Sequence, residues 1–292
     1  MPTYQFKQVD VFTDRPFFGN PVAVVLGADD IEPAEMQRIA AWTNLSETTF
    51  VLRPTTPEAD YRLRIFYPRG ELRFAGHPTV GSAHAVLESG VVSPRDGRFV
   101  QECGAGNLPL HVDGAGGGRR IFVRAPEAKI VDAPVPTHEE IANALGQEMS
   151  REMPPLAVNN GPVWLFAYFD DAAAIKRMKP DMGALAELTR DYPSIGFAVF
   201  ALPAGEGPAV HIRCFAPAGG VPEDPVTGSA NAGLPAYLAA VGQLGRVERE
   251  YVSTQGTEIG RDGRVHVRVL DDAGRAEVGG QAVTVIEGEI RL

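Results

Sequence analysis

Apolar and polar residues alternate over positions 4–12 with the two-residue period of a strand. A turn-rich stretch, 13–21, leads into a continuous apolar strand at 22–26. The spacing then changes. Met36, Ile39 and Ala40 recur on one helical face, which predicts a helix over 33–42 with Pro33 in its first turn, where a missing N–H costs nothing. A polar loop at 44–49 precedes a strand at 50–53, and 61–67 is a further strand. After a loop at 70–78, small residues build a helix over 79–88 that Ser89-Gly90 ends.

The stretch 99–124 reads as strands joined at Asp113-Gly114-Ala115-Gly116-Gly117-Gly118. No helix follows these glycines, so they are a hairpin turn and not a phosphate loop. Three prolines make 125–136 a linker, and Thr137 with Glu140 fits a capping box that opens a second run of structure.

That second run copies the first. Arg64-Ile65-Phe66-Tyr67-Pro68 and His77-Pro78-Thr79-Val80-Gly81-Ser82-Ala83 find counterparts in Arg213-Cys214-Phe215-Ala216-Pro217 and Asp224-Pro225-Val226-Thr227-Gly228-Ser229-Ala230. Gly19-Asn20-Pro21-Val22 is echoed by Asn160-Gly161-Pro162-Val163, and Phe50-Val51-Leu52 by Phe197-Ala198-Val199. Four matches in one order predict two related α+β halves, 1–125 and 126–280, with 281–292 returning to the first.

In each half a strand ends in Phe-x-Pro, a loop follows, and a helix opens on a Pro. Unpaired N–H groups and the positive end of the helix dipole make such a start a site for a carboxylate. Small residues behind it, Gly81-Ser82-Ala83 and Gly228-Ser229-Ala230, admit a close ligand or simply tight packing. A pair of such starts facing across a cleft would hold one small anion and bring His77 and Asp224, equivalent in the repeat, to bear on it. Taken singly, His77 reads as a loop histidine and Asp224 as an N-cap. Glu47 is the third candidate: it stands just before an apolar strand, amid hydroxyl and amide groups, where partial burial would raise its pKa toward that of a useful base. Ser46 beside it is counted among the substrate-binding residues.

Composition narrows the partners. The 292 residues carry 27 Lys plus Arg against 37 Asp plus Glu, a net charge of −10, and no basic cluster, which disfavours nucleic acid. No apolar run reaches membrane-spanning length and no signal sequence opens the chain, so the expectation is a cytoplasmic protein away from membranes. Cys103 and Cys214 are read as reduced thiols, Cys214 as core. The histidines lack zinc spacing, and neither a dinucleotide nor a Walker loop is present, so no metal and no cofactor are expected.

With these residues in view, the chain resembles the phenazine-biosynthesis, PhzF-like isomerase family. The matching stretches are Val9-Asp10-Val11-Phe12-Thr13, Gly19-Asn20-Pro21-Val22-Ala23-Val24, Asn44-Leu45-Ser46-Glu47-Thr48-Thr49-Phe50, Phe74-Ala75-Gly76-His77-Pro78-Thr79 and Glu223-Asp224-Pro225-Val226-Thr227-Gly228-Ser229-Ala230. The resemblance implies a diaminopimelate-epimerase-like fold: two pseudo-symmetric domains, each a curved mixed β-sheet around a central helix, with the active site between them. It implies a homodimer. It also implies a cofactor-independent isomerase in which the residue matching Glu47 shifts a proton between ring carbons of a dihydro-hydroxyanthranilate. Residues matching His77 and Asp224 assist, and those matching Gly76, Gly228 and Ser229 bind substrate. Cys103 stands where a Thr-like residue is expected, and Arg69-Gly70 alters the loop before Phe74.

Two rivals stay open. An amino-acid racemase or epimerase of this fold carries a cysteine at each helix start, where this chain has Gly76-His77 and Asp224; thiol alkylation separates that reading. A non-catalytic module binding a small acid would bind without exchanging substrate hydrogen with deuterated water.

Overall fold

The computed structural model describes residues 1–203 and 207–292, and the chain divides into two compact units. The first comprises Met1–Arg124 and Gly279–Leu292. Its elements are β1 (Thr3–Val11), β2 (Asn20–Leu26), α1 (Pro33–Thr43), β3 (Thr48–Leu52), β4 (Tyr61–Tyr67), β5 (Gly70–Leu72), α2 (Gly76–Glu88), β6 (Arg98–Cys103), β7 (Gly106–Asp113) and β8 (Arg120–Arg124). β1 and β2 pair antiparallel, β2 and β3 parallel across the α1 crossover, and β3 and β4 antiparallel. β4 then runs parallel to β6, which continues antiparallel through β7 to β8.

Why 22–26 is apolar without alternation is now plain: both faces of β2 are covered. Val25 packs with Met36, Ile39 and Ala40 of α1 and with Phe50 and Phe66. Val22 points the other way, toward α2, where a Cβ on Gly81 would lie 2.4 Å from Val22 Cγ1. Glycine there lets α2 settle onto the strand, and α2 is buried along most of its length as the unit's central helix.

The second unit spans Ala125–Val278. It contains β9 (Lys129–Ile130), α3 (His138–Leu145), β10 (Leu156–Asn159), β11 (Val163–Tyr168), α4 (Ala172–Arg177), α5 (Met182–Asp191), β12 (Gly196–Ala201), β13 (Val210–Ala216), β14 (Val221–Asp224), α6 (Gly228–Ala240), β15 (Glu250–Gln255) and β16 (Gly263–Val269). β17 (Ala276–Gly280) follows, and its last two residues belong to the first unit. From β10 to β16 the pairings run antiparallel, parallel, antiparallel, parallel, antiparallel, through β11, β12, β13 and β15. The same senses occur in the same order from β1 to β7, so the sequence repeat is also a repeat of topology. α6, buried like α2, is the central helix here. Finally β18 (Ala282–Arg291) lies antiparallel to β1, from Thr3 opposite Arg291 to Val11 opposite Ala282. The fold is α+β.

Several local expectations change. α2 begins at Gly76, so His77 and Pro78 sit inside its first turn, where Pro needs no N–H, and not in a loop ahead of it. α6 begins at Gly228, beyond Pro225, so this helix does not open on a Pro and Asp224 closes a strand. The loop before α2 holds the short strand β5, folded back on β4. β3 starts at Thr48, because buried hydroxyls there are satisfied: Thr49 Oγ1 lies 2.7 Å from Ser82 Oγ. The linker carries β9, paired to β10. The glycine run is the expected hairpin turn between β7 and β8.

Candidate active site

In the first unit the chain leaves α1 through Asn44, whose left-handed backbone (φ 53°) caps the helix by donating to the Ala40 carbonyl. That turn sends Ser46, half-buried, and Glu47 back toward β2, where the Ala23 N–H donates to the Glu47 carbonyl at 3.4 Å. Glu47 therefore stands at the leading edge of β3. Its carboxylate is 15% exposed and Oε2 lies 3.1 Å from Nε2 of His77, itself 8% exposed. The approach is off-axis for a hydrogen bond as it stands, as catalytic pairs often are before substrate tightens them.

His77 is held from its other side. Asn20 Nδ2 sits 3.4 Å from Nδ1, and an amide nitrogen only donates, so Nδ1 accepts and the ring proton resides on Nε2, toward Glu47. Asn20 is fixed in turn by Gly19, whose N–H donates to buried Asp10 at 3.2 Å. A Cβ at Gly19 would come 2.3 Å from the Val11 carbonyl, so only glycine makes this turn. Burial pushes the imidazole down to about 3, outweighing the attraction of the nearby carboxylate, and His77 is neutral at pH 7. Gly76 and His77 open α2 with no side-chain cap; the first helical bond is Thr79 N–H to the Ala75 carbonyl. The first-turn N–H groups are thus available to an anion.

The second unit builds its helix start differently. Asp224, half-buried at the end of β14, accepts from Thr227 Oγ1 at 2.6 Å. Thr227 precedes α6, and no side chain caps that helix either. Gly228 is the first helical residue. The Ser229 hydroxyl accepts from Trp164 Nε1 at 2.9 Å, and its carbonyl accepts from Asn160 Nδ2 at 2.7 Å. Asn20 and Asn160, which lie one position apart in the matched segments of the sequence repeat, each reach the helix start of their own unit. Neighbouring strands are braced by forked ion pairs, again one per unit: Arg64 to Glu71 and Arg213 to Glu223, each with two N–H donors.

The structure thus brings Glu47 and His77 together in one unit, and Asp224, Gly228 and Ser229 into one short segment of the other. Neither cysteine stands at a helix start. Cys214 is core in β13, where burial pushes its thiol well up, and Cys103, half-buried at the end of β6, is raised for the same reason. Sequence reasoning gave no role to Asn20, Asn160, Trp164, Thr227 or Gln255. The repeat marked both asparagines, and Thr227 lay inside a quoted motif; nothing marked Gln255.

The phenazine biosynthesis-like protein family model matches residues 9–288. A Schizosaccharomyces pombe protein named antisense-enhancing sequence 1 is 40% identical, covering 99% of both chains. The trans-2,3-dihydro-3-hydroxyanthranilate isomerase of Pseudomonas aeruginosa is 36% identical over 99% of this chain and 100% of its own length. Among solved structures, a Bacillus anthracis phenazine biosynthesis protein of the PhzF family matches with a TM-score of 0.87 at 30% identity, covering all of both chains. A probable proline racemase from Agrobacterium radiobacter shares the fold, with a TM-score of 0.69 at 14% identity over 99% of this chain and 92% of its own.

Proposed function

The chain belongs to the phenazine biosynthesis-like protein family and is an isomerase, and from that premise we propose that it moves a proton between carbons of a small cyclic or unsaturated carboxylate, without a cofactor. Glu47 is the acid/base. The compound named for the Pseudomonas aeruginosa relative, trans-2,3-dihydro-3-hydroxyanthranilate, is the proposed type of substrate. The observation that carries this reading is the buried 3.1 Å approach of Glu47 to His77 at the start of a central helix.

In the proposed reaction the Glu47 carboxylate takes a proton from a saturated carbon beside the conjugated system. The C–H electron pair enters that system, and the Glu47 carboxylic acid returns the proton at a second carbon. Neutral His77, with its proton on Nε2, steadies Glu47 while it is ionised and cannot act as a competing acid. Asp224 stabilises charge that develops on the substrate. Ser46, Gly76, Gly228 and Ser229 bind it, the helix starts taking the carboxylate. The thiol chemistry of a racemase finds no support in cysteines that burial keeps protonated.

The test is direct. With trans-2,3-dihydro-3-hydroxyanthranilate in deuterated water, NMR should show enzyme-dependent isomerisation with deuterium at the carbon that receives the proton. Binding without isomerisation or exchange would replace this reading with the small-acid binding module. The homodimer is proposed from the family resemblance; light scattering giving the mass of one chain would remove it.

A further inference from the structure

A buried polar chain in the second unit has no part in the reaction as proposed. Gln255 closes β15 and is completely buried. Its Nε2 donates to the Asp224 carbonyl at 2.9 Å and to Thr227 Oγ1 at 2.8 Å. Its Oε1 accepts from the Thr227 N–H at 2.9 Å and from Asn231 Nδ2 at 3.3 Å. The amide can face only one way. Flipping it would set its oxygen against the Asp224 carbonyl and its NH2 against the Thr227 N–H.

That orientation decides where the Thr227 hydroxyl proton goes. One lone pair of Oγ1 already receives Gln255 Nε2–H, so the hydroxyl must donate elsewhere. The acceptor at hand is Asp224 Oδ2, 2.6 Å away. The Cys214 thiol also touches Thr227 and Gln255, but burial keeps it protonated, and a thiol is a far weaker acceptor than a carboxylate. We infer that Thr227 and Gln255 are positioning residues, which hold the Asp224 carboxylate in one orientation through a hydroxyl proton of fixed direction.

The first unit carries a related arrangement. Gln101, also completely buried and on the strand parallel to β4, donates from Nε2 to Thr79 Oγ1 at 3.2 Å in the first turn of α2. Its Oε1 accepts from the Tyr61 hydroxyl at 2.7 Å. A buried glutamine reaching a threonine at the start of the central helix is therefore common to both units. In the second, that threonine passes its proton to a carboxylate.

The catalytic consequence rests on the role proposed for Asp224, and the experiment separates the two. Thr227→Val keeps size and backbone N–H but removes the hydroxyl; Thr227→Ser restores it. Crystal structures of both variants should show the Asp224 carboxylate turned from its native position in the Val protein and unmoved in the Ser protein. An unmoved carboxylate in Thr227→Val overturns the inference. Thr227→Ala serves the same comparison if the Val protein does not fold. On trans-2,3-dihydro-3-hydroxyanthranilate, kcat/KM of Thr227→Val should fall about tenfold to a hundredfold, the worth of a hydrogen bond to a charged group, and Thr227→Ser should recover it. In an Asp224→Asn background the Val change should add almost nothing, because its effect acts through that carboxylate. Additive losses would mean a general structural role and overturn the inference. If Asp224→Asn turns over like the native enzyme, the role of Asp224 in catalysis falls, while the crystallographic comparison still decides the positioning.

Discussion

Replacing Glu47 with Gln removes the proposed acid/base while disturbing little else. The amide is nearly isosteric with the carboxylate, and its oxygen can keep the 3.1 Å contact with His77 Nε2. Because His77 is neutral, with burial pushing it to about 3, no buried charge is left unpaired when the carboxylate is lost. The backbone contact to Ala23 uses the Glu47 carbonyl and survives unchanged. Stability should therefore move by less than about 1 kcal/mol, in keeping with a substitution that leaves no cavity and no orphaned ion. Turnover is another matter. General acid–base help is worth about a hundred- to ten-thousand-fold, or about 3–5 kcal/mol of barrier. Urea denaturation, calorimetric titration with the reaction product and NMR-followed deuterium uptake measure stability, binding, which should be kept, and turnover separately. A Glu47→Gln protein that folds, binds and exchanges deuterium within threefold of the native rate would refute the mechanism.

Three further outcomes are expected. His77 has a folded-state value near 3 against an ordinary 6.5, so the unfolded chain takes up the proton first as pH falls. That contribution to stability is whole above 6.5 and is lost below it at about 1.4 kcal/mol per pH unit, or about 2 kcal/mol at pH 5; denaturation at pH 7 and 5 should show His77→Gln losing correspondingly less, and equal losses would refute the assignment. Lys7, 2% exposed between Glu88 and Glu287 at 2.7 and 2.9 Å, should cost about 2 kcal/mol when changed to Met, the exposure of its partners holding the loss below that of a fully buried pair, and a loss under 0.5 would be a refutation. Cys103→Ser with Cys214→Ala should keep turnover within about twofold, with about 1–2 kcal/mol lost at the buried position; inactivity in a folded double variant would restore the thiol mechanism.

Strands such as β4 and helix α1 were legible because their signals are local: a period of two, a period of 3.6, a Pro in a first turn. The repeat was legible because it compares the chain with itself. The start of α2 was misplaced by three residues, since Pro78 looks like an opening residue yet is also tolerated later in the first turn. Glu47 and His77 were each visible, through motif and repeat, but their approach to one another was not. It depends on β2 lying beside β3 and on Asn20 at the head of β2, contacts set by pairing and not by sequence distance. Gln255 was invisible for the same reason. A lone glutamine closing a strand has no pattern, and its partners become neighbours only when β15 pairs in parallel with β13.

The pairing of β1 with β18 bears on how the protein is made. Residues Thr3–Val11 are made well before their partners Ala282–Arg291, so the first unit cannot close its sheet until that last strand has emerged. The second unit is one continuous stretch, Ala125–Val278, and its pairings are complete before the final strand emerges. Birth order and folding order are then reversed: the half that appears second is the first able to finish. Until β18 arrives, β1 must keep an open edge, and that interval is when the nascent chain is most exposed to mispairing.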